Sequence, residues 1–297
     1  MAGLSFVRCK TFYCDSSNKK SNYIETDIFL MPATAPSLKR AKRNAGFADM
    51  DPKMLKKYME HKARQQDLND ARARRKCRLL AETNFKLGDY RLDLTYNDAH
   101  LPADFKEAVK EMGNFLRRLK RMAKKLGKGL KYIGVTELGS VNGRLHHHLL
   151  INSDCGLTRE EIEEAWGNGF CHTDINRDTE KAVKYLLKAG RVYKGARVYK
   201  ASRNLVKPTK SVSDTKISKR RLKNLTSGSD SECRAYFAKE YPDYIVENIY
   251  RYVPEEHPGE LEEEQEKLWR DGFSYLRVCM RLKSAGKKAK GVHHAHR

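Results

Sequence analysis

The spacing of hydrophobic side chains divides the middle of the chain into strands and helices. Residues 90–96 alternate as a half-buried strand does, and residues 131–137 and 145–151 resemble strands that flank Asn142-Gly143. Asn-Gly favours a two-residue type I′ turn, so these two runs predict a β-hairpin. After Pro102, apolar residues recur at spacings of 4, 3, 4, 3 and 4, which predicts a core-facing helix carrying Phe105, Val109, Met112, Leu116, Leu119 and Ala123.

Helix-capping signals continue this order beyond the hairpin. Thr158 and Glu161 form a capping box for a short helix that ends at Trp166-Gly167. Residues 170–175 predict a strand, and residues 179–189 predict a helix that ends before Gly190. The sequence therefore predicts an α+β fold, with a mostly antiparallel central sheet and flanking helices.

The flanking segments are less regular. Residues 23–30 favour a strand, residues 31–45 a basic linker, and residues 51–81 a long helix. Residues 236–252 predict a helix, whereas the segment 205–223 and the tail 283–297 have the composition of disordered basic chain. We therefore expect three parts: an N-terminal basic extension (1–84), a central domain (85–208), and a basic and acidic, mainly helical C-terminal region (209–297).

Charge identifies the class of partner. The chain has 60 Lys and Arg against 38 Asp and Glu, a net charge of +22, which favours binding to a polyanion. Residues 191–223 hold twelve Lys or Arg and one Asp, with Tyr193 and Tyr199 among them, a pattern typical of single-stranded nucleic-acid binding. A basic cluster in the long helix is compatible with either a phosphate-contacting arm or a solvated face: Arg72, Arg74, Arg75, Lys76 and Arg78.

Cysteine usage and hydropathy bear on the compartment. Seven cysteines without a Cys-x-x-Cys pair favour free thiols in a reducing cytosol. No run of about 18 apolar residues is present, so we expect a cytoplasmic protein with no membrane partner.

The histidines of the hairpin are candidate metal ligands. His146 and His148 are two residues apart on a strand and share a face, whereas His147 points the other way. Glu137, on the partner strand, is a candidate oxygen ligand and is expected near His148, although the register is open. Two imidazoles and a carboxylate suit Mg²⁺ or Mn²⁺.

Tyr185 is a candidate nucleophile on the last predicted helix. Lys181 and Lys188 lie one turn before and after it, and positive charge favours the phenolate. Taken alone, Tyr185 fits equally well as a packing aromatic. Its combination with the Glu/His/His set indicates attack on a phosphodiester.

Three motifs carry a family resemblance. Arg144-Leu145-His146-His147-His148-Leu149-Leu150 resembles the His-hydrophobic-His motif of HUH endonucleases, with His147 in the middle place. Tyr185-Leu186-Leu187-Lys188 matches their Tyr-x-x-Lys motif, and residues 92–96 resemble their first motif. The order of the motifs is the family's, and residues 85–208 resemble in particular the rolling-circle replication initiators of small bacterial phages and plasmids.

The resemblance implies an HUH-type, ferredoxin-like domain that nicks and rejoins single-stranded origin DNA. Tyr185 would become linked to the 5′ phosphate, Lys188 would position the phosphate, and Glu137, His146 and His148 would bind the metal. Phosphate contacts are expected from six further residues: Arg144, Lys181, Lys184, Arg191, Lys194 and Arg197. Host helicase and polymerase would act with it in the bacterial cytoplasm, since the chain has no P-loop motif.

Two other functions remain open at this point. A transposase or a mobilisation relaxase would use the same site. A non-catalytic nucleic-acid-binding protein would need the basic surface but no nucleophile.

Overall fold

The computed structural model describes residues 6–14, 21–31, 52–139, 143–188, 197–251 and 275–283. These residues form ten strands: β1 (Phe6–Cys14), β2 (Tyr23–Met31), β3 (Tyr90–Leu94), β4 (Tyr132–Leu138), β5 (Leu145–Ile151), β6 (Cys171–Ile175), β7 (Lys200–Ala201), β8 (Thr209–Ser213), β9 (Tyr244–Arg251) and β10 (Tyr275–Leu282). They also form six α-helices: α1 (Pro52–Asn84), α2 (Phe105–Lys125), α3 (Arg159–Trp166), α4 (Thr179–Lys188), α5 (Lys219–Ser227) and α6 (Asp230–Glu240).

The central sheet has the strand order β6-β3-β5-β4-β7, and each of its pairings is antiparallel. Every element predicted between residues 90 and 189 is present, with bounds that differ by a few residues. The α2 helix begins at Phe105 because the Asp104 side chain accepts a hydrogen bond from the Glu107 amide, which caps the first turn. The α+β prediction with a mostly antiparallel sheet is confirmed.

Strand alternation separates the two faces of this sheet. Leu92, Leu149 and Ile151 face α2 and α3, where they join a core built around Phe115 and Trp166. The opposite face is packed by α1 and α4 against the buried side chains Ile133, Val135 and Leu150. Asp93, Glu137, His146 and His148 have the strand parity of this second face, which places them beside α4.

The turn between β4 and β5 differs from the predicted two-residue hairpin. The last strand pair is Leu138 with Leu145, and the Gly139 amide donates to the Arg144 carbonyl at 2.8 Å. Gly143 has the positive φ of +62° that favours glycine, but the paired residues lie further apart along the chain than a type I′ turn allows. This shift places Glu137 opposite His146 rather than His148.

A second antiparallel sheet, with the order β8-β1-β2-β10-β9, joins the two ends of the chain. Here the flanking predictions were wrong in three places. Residues 205–223 contain β8 and the start of α5 instead of disordered chain, residues 236–252 end α6 and form β9 instead of one helix, and the outer segments share a sheet instead of being helical extensions. The domain boundaries at 84 and 208 stay a prediction.

Helix α1 packs against both sheets. Cys77, Leu80 and Phe85 join the core of the central sheet, while Arg75 and Arg78 reach the second sheet. There the Arg75 guanidinium lies 2.5 Å from both Glu25 and Asp27, and Arg78 pairs with Glu25. These two arginines therefore belong to a buried ion-pair network, which neither the phosphate-arm nor the solvated-face interpretation had foreseen.

Three further expectations concern the whole chain. All seven cysteines are free and buried, as the absence of a pairing motif predicted. Within the ranges given above, none of the helices combines the length and the apolar character needed to traverse a bilayer. The predicted basic linker, apart from Met31, and the predicted disordered tail, apart from Lys283, lie outside the described residues.

Candidate active site

Two neighbouring strands bring together the predicted metal ligands. Glu137 of β4 and His146 of β5 face each other in the register, and His148 lies one repeat further along β5. Oε1 of Glu137 lies 2.7 Å from Nε2 of His146 and 2.7 Å from Nε2 of His148. The three ligand atoms lie within 4.8 Å of one another, so they could share one metal ion.

Hydrogen bonds at the other ring nitrogens decide how the imidazoles present themselves. Nδ1 of His146 lies 3.2 Å from the Arg144 carbonyl, and Nδ1 of His148 lies 2.5 Å from Oδ1 of Asp93. A carbonyl and a carboxylate can only accept, so each Nδ1 donates and each neutral ring keeps its lone pair on Nε2. Both lone pairs then point at the carboxylate of Glu137, an arrangement that needs a proton or a cation between them.

This donor set fits a divalent ion. Two imidazole nitrogens and one carboxylate oxygen suit first-row divalent metals, and a carboxylate behind a ligating histidine is a common support for such sites. Burial lowers the pKa of His148, but the Asp93 hydrogen bond and the charges of Asp93 and Glu137 outweigh burial and raise it. The same carboxylates that favour an imidazolium here would favour a bound cation.

His147 has a different role from its neighbours. Its ring is fully buried on the opposite face, where Nε2 lies 2.7 Å from the Tyr96 hydroxyl and Nδ1 lies 2.9 Å from the Thr136 hydroxyl. Burial, with the nearby charges of His146 and His148, lowers the pKa of His147 to about 3. His147 is thus a neutral, hydrogen-bonded core residue that anchors β5 between its two metal-facing neighbours.

Tyr185 lies beside the histidines, on α4. The centroid of its ring is 4.7 Å from that of His148 in an edge-on arrangement, and 42% of the residue is exposed. The guanidinium of Arg91 lies over the ring at 5.2 Å. The fold therefore brings this tyrosine and the candidate ligands together.

The expected lowering of the Tyr185 pKa does not occur among the protein groups alone. Burial and the charges of Asp93 and Glu137 raise the pKa, against a smaller lowering by Arg91. The Lys181 ammonium lies 3.6 Å from the Asp178 carboxylate and does not contribute noticeably. Lys188 is the last residue of α4, and the position of its side chain is outside the described part of the structure.

Sequence reasoning missed two residues of this site, Asp93 and Arg91. Both lie on β3, with the parity of the face that carries the histidines. The alternation Leu92-Asp93-Leu94 marks Asp93 as facing away from the α2 core. That β3 pairs with β5, which sets Asp93 opposite His148, depends on strand order and was not visible in the sequence.

The six predicted phosphate-contacting residues are in different surroundings. Arg144 is held by Asp98 at 2.9 Å and by the Tyr96 carbonyl at 3.0 Å, next to the hairpin. Lys181 and Lys184 are exposed on α4. Arg197 lines a separate cavity of about 1050 Å³ near β7, together with Lys200 and Arg203. Arg191 and Lys194 lie outside the described residues.

Comparison with known protein families points to DNA replication. Residues 89–190 match the family model of the replication-associated protein ORF2. The matched stretch lies inside the predicted central domain and contains Asp93, Glu137, both candidate histidine ligands and Tyr185. The match supports a Rep-type protein with a role in the initiation of replication. Searches of curated proteins and of solved structures gave no significant match.

Proposed function

We propose that this protein initiates rolling-circle replication by nicking and rejoining one DNA strand through Tyr185. The observation that carries the proposal is the approach of Tyr185 to the Glu137/His146/His148 cluster, with ring centroids 4.7 Å apart at His148. A cluster that only stabilised the fold would not need a half-exposed phenol beside it. The family match supports the same role, since it spans all of these residues.

The reaction is a transesterification that needs no external energy. The Tyr185 Oη atom attacks phosphorus, a bond forms between Tyr185 and the 5′ phosphate, and the bond from phosphorus to the 3′ oxygen breaks. The phenol proton leaves and the departing 3′ oxygen takes up a proton. Because one phosphoester replaces another, a 3′ hydroxyl can later reverse the step and rejoin the strand.

Each residue of the cluster has a defined task in this proposal. Glu137, His146 and His148 would hold Mg²⁺ or Mn²⁺, and a divalent ion bound there would withdraw negative charge from the scissile phosphate. Asp93 orients His148 through its Nδ1 proton. Arg91, stacked over Tyr185, places a permanent positive charge beside the attacking oxygen.

The raised pKa of Tyr185 makes its activation conditional. With the carboxylates of Asp93 and Glu137 uncompensated, the phenol keeps its proton at neutral pH. Positive charge at the cluster offsets these carboxylates and lowers the energy of the phenolate. Attack is therefore expected only when a divalent cation is present, which protects DNA from nicking without it.

The released 3′ hydroxyl would prime a host polymerase, and a host helicase would separate the strands. Origin DNA is the substrate that this role implies. Transposases and mobilisation relaxases would share the chemistry, so a nick at a replication origin followed by strand extension is the result that separates them from an initiator.

The test is formation of a covalent protein–DNA adduct. Purified protein is incubated with end-labelled single-stranded DNA containing candidate origin sequence and Mn²⁺, and the products are separated on a denaturing gel. We expect a labelled adduct with wild-type protein and none with Tyr185→Phe, because phenylalanine keeps the ring and lacks the nucleophilic oxygen. DNA binding, measured by anisotropy, should stay within about twofold, since a single hydroxyl is removed.

Tyr193→Phe is the matched control, because Tyr193 is the next tyrosine along the chain. It should leave adduct formation intact. An adduct that persists in Tyr185→Phe and disappears in Tyr193→Phe would reassign the nucleophile, and an adduct that forms equally well in chelator would refute the requirement for a metal.

A further inference from the structure

A pair of stacked aromatic rings lies at the edge of the candidate active site. Phe170 is 65% exposed, although it is a large apolar side chain. Its ring is parallel to that of His172 within 5°, with the centroids 6.4 Å apart. We call these two residues the Phe170–His172 platform.

The platform belongs to the same face as the metal cluster. His172 on β6 is paired with Asp93 on β3, and Asp93 in turn is paired with His148 on β5. Strands in a sheet are about 4.8 Å apart, so His172 is roughly 10 Å from His148 across the face. Because β6 is the outermost strand of this sheet, no further strand of the described sheet covers the platform on its far side.

The backbone beneath the platform is held firmly. The Phe170 carbonyl accepts hydrogen bonds from the Thr95 amide at 2.8 Å and from the Thr95 hydroxyl at 3.3 Å. The preceding residue, Gly169, has φ of +154°, and a Cβ there would lie 2.5 Å from the Asn97 amide nitrogen. A fixed, glycine-dependent turn therefore presents an exposed ring, which is unlike an apolar residue left on a loose loop.

We propose that the Phe170–His172 platform stacks a nucleobase of the single strand that flanks the scissile phosphate. Stacking on aromatic rings is how proteins hold single-stranded DNA without reading its sequence, and each base stacked this way contributes substantially to affinity. The platform lies where a strand leaving Tyr185 across β3 and β6 would pass. The inference rests on the proposed function only in placing that strand at the cluster.

The experiment separates stacking from catalysis by using protein that lacks the nucleophile. In the Tyr185→Phe background, binding of single-stranded DNA carrying 2-aminopurine is followed by anisotropy and by fluorescence quenching, which reports base stacking. The base analogue is moved one position at a time along the strand. We expect strong quenching at one or two neighbouring positions, and a loss of that quenching in Phe170→Ala.

Three substitutions at Phe170 distinguish a ring from mere bulk. Phe170→Ala should weaken binding about tenfold, Phe170→Leu should weaken it nearly as much, and Phe170→Trp should retain both affinity and quenching. Leu87→Ala is the control for an exposed apolar side chain, because Leu87 is 66% exposed in the loop before β3, and it should change nothing.

The outcomes are decisive for the platform independently of the nick. Equal affinity and quenching in Phe170→Ala and in the parent protein would overturn the inference, as would full retention by Phe170→Leu, which would indicate apolar contact without stacking. If wild-type protein forms no covalent adduct but the Phe170 series behaves as expected, the nicking proposal fails and the platform stands. If the adduct forms and the series is flat, only the platform fails.

Discussion

Asp93→Asn is the sharpest perturbation of the candidate metal site that leaves the metal ligands in place. The Asp93 carboxylate accepts the Nδ1 proton of His148 at 2.5 Å, which directs the Nε2 lone pair toward Glu137. An asparagine side chain has the same shape but can present its NH₂ group to the ring. The imidazole can then accept at Nδ1 and carry its proton on Nε2, where a metal would have to bind.

The expected size follows from the support that such carboxylates give to ligating histidines. Their loss typically costs 10- to 100-fold in metal affinity, or roughly 1.4–2.7 kcal/mol. The hydrogen bond is half-buried and charge-assisted, with the carboxylate 27% exposed and His148 6% exposed, so an effect within that range is expected. Adduct formation at subsaturating Mn²⁺ should fall by a similar factor.

Mn²⁺ affinity can be measured directly by titration calorimetry, or from the electron paramagnetic resonance signal of the free ion. Asp174→Asn is the matched control, because Asp174 has the parity of the same face on β6 and its carboxylate lies 3.6 Å from Arg91, without contacting either histidine. It removes the same charge and should change the affinity by less than about threefold. Wild-type affinity in Asp93→Asn, or an equal loss in both variants, would refute the orienting role.

Two further predictions concern stability. Asp27→Asn should lower the free energy of unfolding in urea by about 3–5 kcal/mol, since it leaves the buried Arg277 guanidinium without a carboxylate partner at 2.8 Å, whereas Asp214→Asn at the surface should change it little. Burial raises the pKa of Asp27, but Arg277 and Arg75 outweigh burial and hold it well below its ordinary value, so the stabilisation is present above about pH 4 and is lost as the pH falls further; the Asn variant should lose less stability over that acid range, and equal acid sensitivity would contradict the assignment. Gly169→Ala should cost more than about 2 kcal/mol, because its Cβ would collide with backbone, while Gly129→Ala, with no backbone within 4 Å and no positive φ, should be nearly neutral in thermal unfolding.

The central elements could be predicted because their signals are local. The Thr158 capping box and the apolar stripe of α2 each depend on residues within one or two turns of a helix, and both are present in the structure. The shared face of His146 and His148 follows from strand alternation alone. These features needed no knowledge of which strands are neighbours.

The remaining features depend on contacts between distant parts of the chain. Asp93 became visible as a support for His148 only once β3 was known to pair with β5, and Arg75 was misread because its partners, Glu25 and Asp27, lie about 50 residues away. Local signals were also overlooked. Pro242 separates α6 from β9, but the aromatic residues around it fit a helical stripe well enough to predict one continuous helix.

The pairing of β2 with β10 has a consequence for how the protein is made. The Phe29 and Tyr275 positions are neighbours in the sheet, yet the ribosome adds nearly 250 residues between them. At 5–20 residues per second, the β1–β2 ribbon waits about 12–50 s for its missing neighbour, with one long edge open to other nascent chains. Synthesis must therefore be all but finished before that edge is closed, and a messenger cut short near its 3′ end would yield a sticky polypeptide.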